Sequence, residues 1–276
     1  MVQQEKTMSF NEKVTLGRTG LQVGRLGISS SFAAPAAAFA EAYERGCNYF
    51  TWGTFVKGRS REMTQAIKDI IHNGQRDRLV IASLSYAHSA ALTTAFLKKG
   101  LKALGTDYVD VLILGYFSSR PPQRVIDGAL KLKERGMVRF LGLTSHKRSV
   151  FTQLREEGLF DLYHIRYNAA HRGAETDTFP NLQGEDRPGV VTFTATCWKR
   201  LLNPAKMPPG ETTPTAPDCY RFVLSNPAVD VCMMGARTLP QMRENLQVLD
   251  SPPMTEQELE RLRKIGDYIY GKRNPT

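Results

Sequence analysis

A chain of 276 residues with 41% hydrophobic and 23% charged side chains is long enough for one large α/β barrel or two smaller domains, and too rich in apolar residues for a disordered protein. Its four cysteines, Cys47, Cys197, Cys219 and Cys232, lie far apart without CxxC or Cys/His spacing, which argues against a zinc site or a disulfide framework, and no other metal site is expected. The formal charge of +10 fits nucleic acid or a small anion, but the lysines and arginines are scattered, with no basic tail or recognition motif, so a small-molecule partner is expected and nucleic acid is not.

The polar opening, residues 1–13, has no signal-like apolar run, and no stretch reaches the length of a membrane span, so a cytoplasmic protein without membrane attachment is expected. Residues 1–12 read as a flexible tail. Two short runs in Val14–Val23 flank Gly17-Arg18-Thr19-Gly20, the pattern of a hairpin. Eight β-rich apolar runs follow: Gln22–Ser29, Cys47–Trp52, Leu79–Ser85, Val109–Tyr116, Phe140–Ser145, Leu162–Tyr167, Val190–Thr196 and Val229–Gly235. Helical patterns alternate with them at Ala34–Arg45, Ser60–Ile71, Leu92–Leu104, Pro121–Arg135, Ser149–Glu156, Pro217–Leu224 and Leu239–Val248. The proline-rich stretch Asn203–Pro217 reads as a long loop over the active face, and Thr255 with Glu258 opens a final helix through a capping box. This alternation over a single domain, 1–276, predicts an α/β fold of the (β/α)8 TIM-barrel class with an N-terminal hairpin.

Ligand chemistry in such a barrel sits where strands end. The last of these ends carries the sharpest signal, Gly235-Ala236-Arg237-Thr238 followed by Gln241, Glu244 and Asn245. Glycine permits close backbone approach, a helix start offers unpaired N–H groups, and Arg237 can grip phosphate oxygens. Gln241, Glu244 and Asn245 share one helical face, suited to a purine edge or to plain solvation.

The runs LGRTGLQVGRLGIS (16–29), GCNYF (46–50), LKALGTDYVDVLIL (101–114), LKERGMVRFLGLTS (132–145), YN (167–168) and GARTLPQMRENL (235–246) resemble successive motifs of the aldo-keto reductases. That resemblance implies a barrel that binds NADP(H) at its C-terminal face and reduces carbonyls by hydride transfer. It assigns Gly235, Arg237, Thr238, Gln241, Glu244 and Asn245 to the adenosine 2'-phosphate end. It further assigns Ser145 to the nicotinamide carboxamide, puts His146 and His164 where the family has an asparagine and a glutamine, and places Thr194 to Cys197 along the nicotinamide and pyrophosphate.

The same resemblance shows what has been lost. The family's catalytic aspartate falls on Thr51, its tyrosine on Val56, its lysine on Leu84 within one residue, and its histidine on Gly115. Only Thr51 retains a hydrogen-bonding group. Tyr86 and Tyr116 lie next to the vacated lysine and histidine positions, and His146 and His164 sit where they could approach the nicotinamide; these are candidate proton donors, or the tyrosines only pack and the histidines only anchor the carboxamide. Trp52, Arg59 and His171 are candidates for contacting substrate, with the cluster Lys57 to Arg61 able to clamp an anionic one, and His171 with Glu175 forms a candidate acid–base pair. Three readings stand at this point: an NADP(H)-dependent oxidoreductase with an atypical active site, a cofactor-binding sensor or partner protein without reductase activity, and a non-redox lyase or isomerase. A monomer or small homo-oligomer is expected.

Overall fold

Strands whose side chains alternate between two apolar environments close into a barrel when helices cover the outer face. The computed structural model describes residues 9–53, 58–115 and 117–271. Two short strands come first, β1 (Val14–Thr15) and β2 (Gln22–Val23), paired antiparallel with Val14 opposite Val23. Eight parallel strands then form the closed barrel: β3 (Leu26–Ser29), β4 (Tyr49–Trp52), β5 (Val80–Ser85), β6 (Val109–Leu114), β7 (Val138–Ser145), β8 (Leu162–Arg166), β9 (Gly189–Phe193) and β10 (Val231–Met234), with β10 pairing back onto β3. The helices are α1 (Ala36–Glu44), α2 (Arg61–His72), α3 (Ala90–Leu104), α4 (Gln123–Glu134), α5 (Ser149–Arg155), α6 (Ala174–Asp177), α7 (Ala216–Leu224), α8 (Leu239–Leu246) and α9 (Glu256–Gly271).

Inward positions at period two, among them Tyr49, Ala82, Val111, Ile113, Leu162, Val191 and Met233, fill the barrel interior, while their neighbours Phe50, Ile81 and Leu112 join the larger core beneath the helices. Helix α2 shows why the outer layer forms: Met63, Ala66, Ile67 and Ile70 recur at helical spacing and are all buried. Local chemistry sets the helix ends. The Ser89 side chain accepts from Leu92 N at the start of α3, and Gly105, at φ +72°, ends it. The Thr255 hydroxyl accepts from Glu258 N at 3.3 Å while the Glu258 carboxylate accepts from Thr255 N at 2.7 Å, which is the capping box expected for α9.

The lower face, at the strand starts, is sealed. Leu16, Leu21 and Val23 of the hairpin continue the interior core, and Gly17 presses so closely on β9 that a Cβ would lie 2.3 Å from Gly189 N. Three carboxylates stitch the strand starts together. Asp110 accepts from Ile81 N at 2.9 Å and pairs with Arg76 and Arg139; Asp230 accepts from Val190 N at 2.8 Å and pairs with Arg187; Asp161 accepts from Leu141 N at 2.8 Å and pairs with Lys133.

The structure departs from sequence expectation in several places. The run Gln22–Ser29 is two strands, because the chain turns at Gly24, whose N–H donates to the Asn48 side chain and whose Cβ would lie 2.2 Å from Gly46 O. Residues 1–8 of the expected tail lie outside the described residues, but Phe10 is buried beneath the Arg25 guanidinium and is no tail residue. The loop 203–217 is held to α9, where Arg261 donates to Glu211 and to Thr212 O, and none of its residues lines the cavity at the upper face.

Candidate active site

Because the side chains alternate, one residue from the end of nearly every strand points into the upper mouth of the barrel. Ser29 of β3, Thr51 of β4, Leu84 of β5, Thr144 of β7, His164 of β8, Phe193 of β9 and Met233 of β10 line a cavity of about 480 Å³. Ser145 at the end of β7 and, from the following loops, Ser31, Tyr86, His146, Thr194 and Trp198 complete its rim. Among these described lining residues there is no aspartate, glutamate, lysine or arginine. Gly115, at the end of β6, leaves a space that Tyr86 fills: a Cβ on Gly115 would lie 2.3 Å from the Tyr86 ring.

The two cavity histidines are both held towards the neutral form. His164 sits at the floor, 4% exposed, and desolvation pushes its pKa down to about 3. Its Nε2 lies 2.8 Å from the Tyr49 hydroxyl, which rises from the barrel interior. His146 is exposed at the rim, edge-on to Phe193, and its pKa is lowered by desolvation and by the nearby Arg166 cation. Ser145 closes a small turn, its hydroxyl accepting from Lys147 N at 3.0 Å.

Thr194 is strained and partly unsatisfied. It sits at φ +62°, opening a loop in which Cys197, Trp198 and Lys199 also have positive φ, and its buried Oγ1 has no hydrogen-bond partner among the described residues. Asn168 fixes this loop by donating to Thr194 O at 2.8 Å. Buried hydroxyls without partners are uncommon and need an explanation, and a missing ligand atom is one.

On the far side of the rim, β10 leads into α8. Thr238 caps the helix by accepting from Gln241 N, the Gln241 side chain folds back to accept from Arg237 N at 3.0 Å, and Asn245 donates to Gly235 O. These bonds hold the 235–238 turn rigid. The Arg237 side chain is exposed, and no described residue pairs with it. Glu244 is exposed on the same helix. The Phe32 ring, 43% exposed, packs against Gly235, where a Cβ would come within 2.0 Å of it, so a larger residue at this corner would have to displace that ring.

Several expected site residues lie elsewhere. Trp52 follows an inward residue and therefore points outward; it is 4% exposed, packs on Gly100 and donates to Thr64 Oγ1 at 2.9 Å. Arg59 is exposed near Ser31 O and does not line the cavity. His171 is 8% exposed behind the wall, with Nδ1 against Asn168 Oδ1 and near the Cys197 sulfur, so neither His171 nor the Cys197 side chain reaches the cavity. Glu175 accepts from the Tyr167 hydroxyl at 2.5 Å and leaves the expected His171–Glu175 pair unformed. Tyr116, Val56 and Lys57 lie outside the described residues. Sequence reasoning overlooked Phe193, Phe32 and Tyr49. Alternation along β9 marks Phe193 as inward, but nothing local signals that Tyr49 meets His164 across the barrel.

The model of the Aldo/keto reductase family matches residues 13–195. The chain belongs to the aldo/keto reductase family. The match ends before β10, so the 235–246 block lies outside it. This aldo/keto reductase is similar to "Uncharacterized oxidoreductase YqkF" of Bacillus subtilis (strain 168), at 23% identity over 265 residues covering 80% of this chain and 84% of that protein. Its fold is that of aldo-keto reductase AKR11C1 from Bacillus halodurans: the holo form superposes with a TM-score of 0.76 at 21% identity, covering 92% of this chain and 96% of the other. The apo form gives 0.73 at 23% identity, covering 92% and 95%. In this family member, the positions that the resemblance assigns to aspartate, lysine and histidine are Thr51, Leu84 and Gly115, and the first two line the cavity.

Proposed function

We propose that the protein is an NADP(H)-dependent oxidoreductase that acts on a neutral carbonyl or alcohol, with Tyr86 as proton donor in place of the family's tetrad. The observation that carries this reading is the Arg237 guanidinium, exposed and paired with no described residue, on a braced turn at the start of α8. A phosphate monoester there would gain charge-assisted hydrogen bonds and the helix N-terminus. The orphaned Thr194 Oγ1 at the cavity rim supplies a second unfilled contact. The residues present therefore fit the cofactor: Arg237 and Thr238 at the 2'-phosphate, Glu244 and the outer face of α8 at the adenosine, Thr194 near the pyrophosphate, and Ser145, His146 and His164 around the nicotinamide.

When bound, NADPH supplies a hydride to a carbonyl carbon. The chain's own residues must hold the two partners, keep water away and give a proton to the carbonyl oxygen. Tyr86 lines the cavity with an ionisable O–H and covers Gly115, so it is the described group best placed to do so. His146 is held neutral near pH 7 and donates poorly as an acid there. The described wall carries no charged side chain, which favours a neutral substrate over an anionic one. Among the described residues, no helix is long and apolar enough to cross a membrane.

Incubation with NADPH and a panel of aromatic and aliphatic aldehydes and ketones, following cofactor absorbance, tests the reading. Consumption that Tyr86→Phe lowers by about 100-fold supports it, since general acids contribute on that order. A second reading, cofactor binding without turnover, is favoured by the lack of any charged described residue in the cavity to ease ionisation of Tyr86. It predicts NADPH binding with no carbonyl consumed.

A further inference from the structure

We infer that Tyr49 is a positioning residue that fixes His164 as the Nδ1–H tautomer, so that the cavity floor presents an N–H donor to a carbonyl oxygen of the bound ligand. Tyr49 enters from β4 and His164 from β8, on opposite sides of the barrel, and they meet with Oη 2.8 Å from Nε2. Small residues make this reach possible. A Cβ on Gly27 would lie 3.2 Å from the Tyr49 ring, and Ala82 is the inward neighbour on β5.

The direction of the bond follows from what surrounds it. If Nε2–H donated to the phenol oxygen, the Tyr49 O–H proton would need another acceptor, and Tyr49 makes no other hydrogen bond to a described residue. The interior core it belongs to includes Val80, Ala82, Val111 and Val231, which offer no acceptor side chain, and the Asp110 carboxylate that acts on it through space is taken by Ile81 N, Arg76 and Arg139. A buried hydroxyl proton without an acceptor is costly. If Tyr49 donates to Nε2, both groups are satisfied, and the imidazole proton sits on Nδ1, which has no partner among the described residues while His164 lines the cavity. Desolvation keeps His164 from taking a second proton, and burial keeps Tyr49 from losing its own, so the arrangement holds across the neutral range. The pair thus gives this site a fixed donor, not a proton relay. That the accepting oxygen is the nicotinamide carboxamide rests on the cofactor reading above.

Nitrogen-15 NMR of histidine-labelled protein without ligand decides the tautomer. The expected spectrum has His164 protonated at Nδ1 and bare at Nε2, with Tyr49→Phe redistributing the proton toward Nε2; a His164 protonated at Nε2 in the unsubstituted protein overturns the inference. The second arm compares NADP+ with 2'-phosphoadenosine diphosphoribose, which lacks the nicotinamide. Tyr49→Phe should weaken NADP+ by about tenfold, the scale of one hydrogen bond, and leave the fragment unchanged. Equal losses for both ligands, or none, overturn the positioning role. Failure of the unsubstituted protein to bind either ligand strikes the cofactor reading and leaves the tautomer result to stand or fall by itself.

Discussion

The two faces of this barrel use polar groups in opposite ways. At the lower face, Asp110, Asp161 and Asp230 each accept a backbone N–H and pair with at least one cation, and a hairpin plugs the interior below them. At the upper face no described carboxylate lines the cavity, both histidines are held towards the neutral form, and among the described residues neither Thr194 Oγ1 nor the Arg237 guanidinium has a partner. The lower face spends its charges on folding. The upper face leaves Thr194 Oγ1 and the Arg237 guanidinium without partners among the described residues, as a surface built to be completed by a ligand does.

Acid should expose this contrast most strongly. The unfolded chain protonates His164 near its ordinary 6.5, the folded chain only near 3. The unfolded state therefore binds the extra proton between those values. This histidine's contribution is complete above pH 6.5 and is lost as the pH falls toward 3, by up to about 1.4 kcal/mol per pH unit. Urea unfolding of the native protein and of His164→Gln over that range should show a steeper loss of stability in the first, the difference being this histidine's share; equal slopes contradict the buried neutral imidazole.

Asp110→Ala comes next. It leaves Arg76, only 12% exposed, without its carboxylate and strips Ile81 N of its acceptor, and should cost about 3 kcal/mol. NADPH affinity should be unchanged in the protein that remains folded, since the lesion is at the opposite face. A denaturation midpoint within error of the native one removes the claim that this face carries stability.

Arg237→Ala should do the reverse. The loss of charge-assisted hydrogen bonds amounts to about 2 kcal/mol, or some thirtyfold in NADPH affinity, with NADH affinity unaffected and unfolding unchanged to within about 0.5 kcal/mol. Parallel loss for NADPH and NADH would mean that the arginine does not read the 2'-phosphate.

The smallest effect has the least usual sign. Thr194→Val keeps the β-branched shape at φ +62° and removes a hydroxyl that has no partner, so the free protein should gain up to about 1 kcal/mol by thermal unfolding while binding NADPH less tightly. A destabilised variant with full affinity would show that the hydroxyl serves the fold.

Much of the fold was legible because strands and helices announce themselves locally. The apolar runs of β5 and β6, the capping box at Thr255 and the paired runs around Gly17 all act over a few residues. The site was legible where position along a strand decided it: Thr51, Leu84, His164 and Thr194 reach the cavity because inward residues near a strand end must. Trp52 was misjudged by one step of the same alternation, since its neighbour Thr51 takes the inward place. His171 and Glu175 were misjudged because their partners, Asn168 and Tyr167, were available within the same loop. The Tyr49–His164 pair spans 115 residues of chain, and the contact of Phe32 with Gly235 spans the closure of the barrel, so both depend on strand register that no local pattern displays.

The most direct test is a titration of the native protein with NADPH, following the fluorescence of Trp198 at the cavity rim, with Trp52 buried away from the cavity as the steady background. Saturable quenching in the micromolar range, with NADH markedly weaker, is the result expected of a barrel whose upper face is completed by a 2'-phosphorylated dinucleotide. No change in fluorescence, together with no change in thermal unfolding at saturating NADPH, would contradict it.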